Sequence, residues 1–252
     1  MPQNNPRCTD CSQDNCLIKK YCSEQWKQTI EQQKTTGVYL EKQAIFSEDN
    51  LEFGVYFIYK GKVKIFNTGK QGKQHIIRFA DSGDVLGFKG YSDKNYRISC
   101  TALENTVICF LEKDFFFSVI KKNPEFALAL IQYYAKGLAF SEFHQKNLVQ
   151  FNTKNRVTEA LLMIKKHFGA ATDEGILLDV NLSQHDIADI AGITAEETNR
   201  CLSFFKKEKI IDYHSHKKIT LLNVNKLFEM IVDNCCEKDM YINQQRCCEH
   251  LL

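Results

Sequence analysis

The chain has 252 residues, 44% hydrophobic and 25% charged, with a net charge of +2 at neutral pH. That balance is globular, fits one large or two modest domains, and carries no bulk charge that would announce a nucleic-acid partner. No apolar run approaches the roughly 18 residues of a membrane helix. The polar opening residues lack the apolar segment of a secretory leader, so a cytoplasmic protein with no membrane partner is expected.

Eleven cysteines are many for a reducing compartment, where thiols serve metal binding, redox sensing or plain burial rather than disulfides. In the first segment, residues 1–33, Cys8, Cys11, Cys16 and Cys22 give C-x2-C-x4-C-x5-C. Thiolates so spaced can hold zinc or an iron–sulfur cluster. A thiol redox switch and buried free thiols are the other readings, and Lys19 and Lys20 nearby favour the thiolate form.

Residues 34–122 read as β structure. Eight of the 12 glycines fall between Gly37 and Gly90, around short alternating segments at 56–59, 63–66, 75–79 and 106–110. Residues 67–72 form a hairpin loop and Ser82-Gly83-Asp84 a tight turn, which predicts a compact antiparallel barrel or roll. Asn123-Pro124 then opens a helix reaching about Gln150, within a segment 123–152. Leu130, Tyr134, Gly137, Ser141, His144, Leu148 and Phe151 recur at alternating steps of four and three, an a/d seam. Such a seam either pairs with a second copy or packs on its own barrel; the small Gly137 and Ser141 suit a close partner helix.

The segment 153–225 begins with a helix whose apolar face holds Val157, Ala160, Leu161 and Ile164, then a loop at 169–175 and a short strand at 176–180. Its most informative part is LSQHDIADIAGITAEETNRCLSFFKKEKIIDY, residues 182–213. Ser183 and Asp186 make a capping-box-like start, Gly192 ends that helix, and Thr194 with Glu197 forms a full capping box for a second one. Two short helices joined by a glycine turn are a helix-turn-helix. The second helix turns Thr198, Cys201, Leu202 and Phe205 inward, and Ala195, Glu196, Asn199 and Arg200 outward near its N-terminal half, the part that enters a major groove. Arg200 can pair with guanine O6 and N7, Glu196 can accept from cytosine N4, and Asn199 can reach a base edge or a phosphate. Segments 210–213 and 217–221 read as a β-hairpin wing with His214, Ser215 and His216 at its tip. From Arg200 to Lys218 six basic residues stand against two acidic ones, a net of +4 that includes Lys217 and Lys218. Ser183, Gln184 and His185, beside the first cap, are placed to meet phosphate.

Together these motifs resemble the Crp/Fnr family over nearly the whole chain. Residues 54–63 resemble the first half of its cyclic-nucleotide-binding β-roll, 82–87 its turn into the phosphate-binding cassette, Asn123-Pro124-Glu125 the start of its dimer helix, and 182–213 its helix-turn-helix. The resemblance implies an α+β fold: a jelly-roll-like N-terminal β-roll sensor domain, a long dimerisation helix and a C-terminal winged helix-turn-helix. It further implies a homodimer that binds a two-fold symmetric double-stranded DNA site and works with RNA polymerase. Its effector pocket would map to Leu86, Gly87, Phe88, Asn95, Tyr96, Arg97 and Ser141. Two departures argue against cyclic AMP: Phe88 follows Gly87 where cyclic-AMP binders carry a glutamate, and Asn95 stands where their arginine is expected. The reading helix resembles the Fnr branch more than the cyclic-AMP receptor: Glu196 and Arg200 match base-reading residues of both, Ala195 replaces the extra arginine of the cyclic-AMP receptor branch, and Asn199 stands where the Fnr branch has serine. Oxygen-sensing members carry an N-terminal cysteine trio with a distant fourth cysteine from the roll; here Cys22, Cys100 or Cys109 could be that fourth.

Residues 226–252 look like an appendix, with a helical start at Leu227, Met230 and Ile231 and with Cys235, Cys236, Cys247, Cys248 and His250 beyond it. No P-loop, dinucleotide fingerprint, nucleophile elbow or His-Glu-x-x-His motif occurs, so an enzyme is not expected. The alternative to a DNA-reading regulator is a ligand- or redox-sensing interaction protein that has lost specific DNA binding.

Overall fold

The computed structural model describes residues 6–88, 94–213, 218–232 and 241. They fall into two compact units, residues 1–68 with 80–139 and residues 69–79 with 140–252. Among the described residues no helix is long and apolar enough to cross a membrane.

The first unit opens with two helices that the cysteine pattern did not announce, α1 (Leu17–Tyr21) and α2 (Glu24–Gln33), the second capped by Ser23. The strands of the roll follow: β1 (Thr35–Tyr39), β2 (Ala44–Phe46), β3 (Gly54–Lys60), β4 (Lys62–Thr68), β5 (Gln74–Asp81, of which residues 74–79 fall in the second unit), β6 (Val85–Leu86), β7 (Ser99–Ala102) and β8 (Thr106–Glu112). One sheet has the order β1-β8-β3-β6 and the other β2-β7-β4-β5. The four segments expected to be strands are β3, β4, β5 and β8. Central strand β3 is buried on both faces because each face has its own cover. Tyr56 and Ile58 point into the roll with Ile65 and Ile108. Val55 and Phe57 point outward against Ile18, Ile30, Phe116 and Phe126. The tight turn at 82–84 also stands: Gly83 holds φ +101°, and a side chain there would meet Asn15.

After α3 (Lys113–Lys122) comes α4 (Pro124–Gln150), which gives residues 124–139 to the first unit and 140–150 to the second. The expected seam is not its free face. Leu130 and Tyr134 are packed into the first unit's own core, and His144 is buried in the second unit against Glu159. The exposed large apolar residues are instead Leu128, Ile131, Leu138 and Val149, each more than half exposed, the first three spaced by three and seven.

The second unit contains α5 (Thr153–Phe168), β9 (Gly169–Thr172), β10 (Gly175–Leu178), α6 (Gln184–Ala191), α7 (Ala195–Lys207), β11 (Ile211–Tyr213), β12 (Ile219–Leu221) and α8 (Val224–Ile231). The stretch 169–175, expected as a loop, is half strand: β9 pairs with β10, and the sheet runs β11-β12-β10-β9. Helix α5 is almost wholly buried from Val157 to Ile164 and carries α6, α7 and α8 on its sides. The helical start at 227–231 is α8, with Leu227 and Ile231 buried.

His75 ties a hairpin into this unit. Its Nδ1 stands 3.0 Å from the Asp189 carbonyl oxygen of α6, and its ring lies parallel to that of His144. Burial, and secondarily the charge of His144, hold its pKa below the ordinary 6.5. The unfolded chain then binds more protons than the folded one, so this residue's contribution to stability is lost as pH falls through about 6.5. The thermal midpoint of the wild type should therefore drop more between pH 7.5 and 5.5 than that of His75→Gln. Equal drops in the two proteins contradict the assignment.

Candidate nucleic-acid interface and cysteine cavity

Two reciprocal capping boxes frame the helix-turn-helix. Ser183 accepts from the Asp186 backbone N–H at 3.1 Å, and the Asp186 carboxylate accepts from the Ser183 N–H at 2.8 Å. Thr194 and Glu197 repeat the arrangement at 3.2 and 3.0 Å. Hydrogen bonds from Thr194 hold the exposed Glu197 carboxyl below its usual range, so it stays ionised beside the helix N-terminus. Between the boxes Gly192 takes φ +64°, ψ +33°, the left-handed cap that lets α6 stop and α7 begin.

Helix α7 is thereby anchored by Thr198, Leu202 and Phe205, all buried, while Cys201 is only partly so. Glu196, Asn199 and Arg200 are exposed and Ala195 is half-buried. The Arg200 and Glu196 side chains, 69% and 82% exposed, stand 3.6 Å apart, a loose surface pair that leaves both available to a ligand. Ser183, Gln184 and His185 are exposed at the start of α6. Two details of the wing differ from expectation. Lys218 spends its ammonium on Asp179 at 2.6 Å, bracing β12 and the end of β10 rather than reaching outward. Gln184 hydrogen-bonds to Tyr213 of β11. Lys217 and the three residues of the wing tip lie outside the described residues.

The second candidate site is in the first unit. Cys8, Cys11, Cys16 and Cys109 line one partly open cavity, with Lys19 and Lys34 on its wall. The first three come from the loop before α1, whose N-cap is Cys16; the fourth comes from β8. The Cys16 thiol hydrogen-bonds to the Cys11 sulfur, and with the backbone at Gln13 and the two lysine charges this brings the Cys11 pKa down to about 6. Burial pushes Cys8 up to about 12 and raises Cys109, and the bond to Cys11 holds Cys16 well above its ordinary value.

Cys22 does not line this cavity, contrary to the sequence expectation. It is buried among Ile18, Ile30 and Val55, with its pKa pushed to about 12. Cys100 is buried in the other core, inside the roll. Among the described residues no three Cys, His, Asp or Glu side chains converge closely enough to hold one metal ion, so a preformed zinc site does not fit. The four thiols are of the donor type that an iron–sulfur cluster takes. The C-terminal cysteines lie outside the described residues.

The residues mapped to an effector pocket are mostly core. Leu86 is buried, and Tyr96 stacks on Phe46 at 4.4 Å and donates to the Gly54 carbonyl at 3.2 Å. Phe88 packs on Phe116, Phe117 and Tyr134, with ring centroids 5.2 to 5.8 Å apart. Gly87 takes φ +82° against the Tyr56 ring. Asn95 donates to the Asp49 carbonyl at 2.6 Å, Arg97 is exposed, and Ser141 belongs to the second unit. Aromatic packing thus surrounds Leu86, Phe88 and Tyr96.

Comparison with known proteins agrees with this layout. The family model for the cyclic nucleotide-binding domain matches residues 37–123, and that for the Crp-like helix-turn-helix domain matches residues 155–230. The nitrogen fixation regulation protein FixK of Azorhizobium caulinodans is 26% identical over 74% of this chain and 75% of its own length. The fumarate and nitrate reduction regulatory protein of Vibrio cholerae is 24% identical over 88% of this chain and 89% of its own. The structure of FixK2 from Bradyrhizobium japonicum superposes with a TM-score of 0.70 at 24% identity, covering 80% of this chain and 99% of that one. A CooA mutant from Carboxydothermus hydrogenoformans gives 0.70 at 21% identity, covering 86% and 95%. With a matching roll, a matching helix-turn-helix and the fold that joins them, this chain belongs to the Crp/Fnr family of transcription regulators.

Proposed function

We propose that the protein is a cytoplasmic homodimer that reads a two-fold symmetric DNA site through α7, acts with RNA polymerase, and receives its signal through an iron–sulfur cluster at the N-terminal cysteines. The observation that carries the DNA-reading part is the exposed trio Glu196, Asn199 and Arg200, displayed near the start of a helix whose caps are complete. The pairing surface is the exposed face Leu128, Ile131 and Leu138, since apolar side chains left uncovered along a long helix favour a second copy.

Cys8, Cys11, Cys16 and Cys109 would hold the cluster, which supplies reversible one-electron chemistry when bound. The chain's own part is to offer one thiolate, Cys11, already ionised near neutral pH beside Lys19 and Lys34. Glu31 fixes the Cys8 backbone, accepting from its N–H at 2.8 Å.

Two measurements test this reading. Arg200→Ala should weaken binding to the preferred duplex by about 1–3 kcal/mol and relax base choice at one position of each half-site, as read in a duplex competition assay. An unchanged base preference would overturn Arg200 as a base-reading residue, whereas a wild type with no preference among duplexes would favour a sensing protein that has lost specific DNA binding. For the cluster, iron and acid-labile sulfide of anaerobically purified protein should fall to background in Cys109→Ser and be retained in Cys22→Ser. The reverse pattern assigns the fourth ligand to Cys22 and refutes the cavity assignment.

A further inference from the structure

The Crp-like helix-turn-helix match ends at residue 230, yet Tyr241, well beyond it, has no exposed surface. Its hydroxyl donates to Glu159 Oε1 at 2.8 Å and lies 3.2 Å from Asn147 Nδ2, which donates to it. Asn147 also donates to the same carboxylate oxygen at 2.8 Å. The ring sits against Phe143 at 5.7 Å and Phe228 at 6.5 Å. The other oxygen, Oε2, faces His144 Nδ1 at 3.2 Å. Glu159 and Asn147 are each 1% exposed. A socket built from the end of α4, the middle of α5 and α8 is therefore filled by one side chain from the C-terminal extension.

A buried carboxylate needs its donors, because one left unsatisfied keeps the full cost of desolvation. Tyr241 supplies one of the two donors on Oε1 and also plugs the apolar wall made by Phe143 and Phe228. The cost of its withdrawal would fall on α5, the helix against which α6, α7 and α8 all pack. We propose that Tyr241 is a latch on the DNA-reading unit, its side chain the tooth and Asn147 with Glu159 the catch. With the tooth seated, α5 is held as a rigid platform for α6 and α7; with it withdrawn, the platform loosens and DNA affinity falls. The inference stands on the geometry of the second unit and does not depend on which signal the cysteines receive.

The test is hydrogen exchange on the full-length protein without DNA, comparing wild type, Tyr241→Phe and a chain ending at Val232. The Phe variant keeps the ring and removes only the hydroxyl, so it decides the matter even if the shortened chain fails to fold. Amides of α5 should exchange about tenfold faster in Tyr241→Phe, the scale expected for losing a hydrogen bond to a charged group, and faster still in the shortened chain. Exchange in α5 equal to wild type in Tyr241→Phe overturns the latch. Because no DNA is present, that failure is separate from any failure of base reading by Arg200.

Discussion

The course of the chain from α6 into α7 is set by one left-handed residue. An added Cβ at Gly192 would stand 3.7 Å from Leu148, an ordinary contact, so space does not demand glycine there. The backbone does: φ of +64° costs an L-residue roughly 1–2 kcal/mol. That turn brings Thr194 to the position where it can close the second capping box, and the box fixes where α7 starts. The start in turn decides which side chains face out. Shifting it by one residue would rotate Glu196 and Arg200 by about 100° round the axis and bury part of the reading face.

The roll obeys a different constraint. β3 is covered on both sides, by the roll interior and by α1 to α4. The outer cover brings the N-terminal loop over Cys109 of β8, whose neighbours in the sheet are Thr36 on β1 and Phe57 on β3. Apolar packing thus gathers thiols that are 93 to 101 residues apart in sequence, and Lys19 and Lys34 offset the negative charge that thiolates bring. The roll interior meanwhile holds Phe46 stacked on Tyr56 and Tyr96.

Much of this was legible because it depends on local rules. The hairpins follow from period-two alternation punctuated by glycine, and the helix-turn-helix from cap residues at fixed offsets. What failed depends on long-range neighbours. Periodicity established that α4 has apolar stripes but not which stripe the chain itself would cover: Leu130 and Tyr134 went inside, and Leu128, Ile131 and Leu138 were left out. Cys22 lies as near to Cys16 in sequence as a ligand would, but α1 turns it into the apolar core. Lys218 carries the charge expected of a phosphate contact, yet its place beside β10 hands it to Asp179. Tyr241 could not have been singled out, since an isolated tyrosine in a polar tail carries no spacing signal and its partners Asn147 and Glu159 lie on two different helices.

The central claim is that two copies of α7 read DNA together. Selection of bound duplexes from a randomised pool tests it most directly, using anaerobically purified full-length protein. The account predicts an inverted repeat with half-site centres about one helical turn, some 34–36 Å, apart. Enrichment of no sequence, or of one without two-fold symmetry, would contradict it.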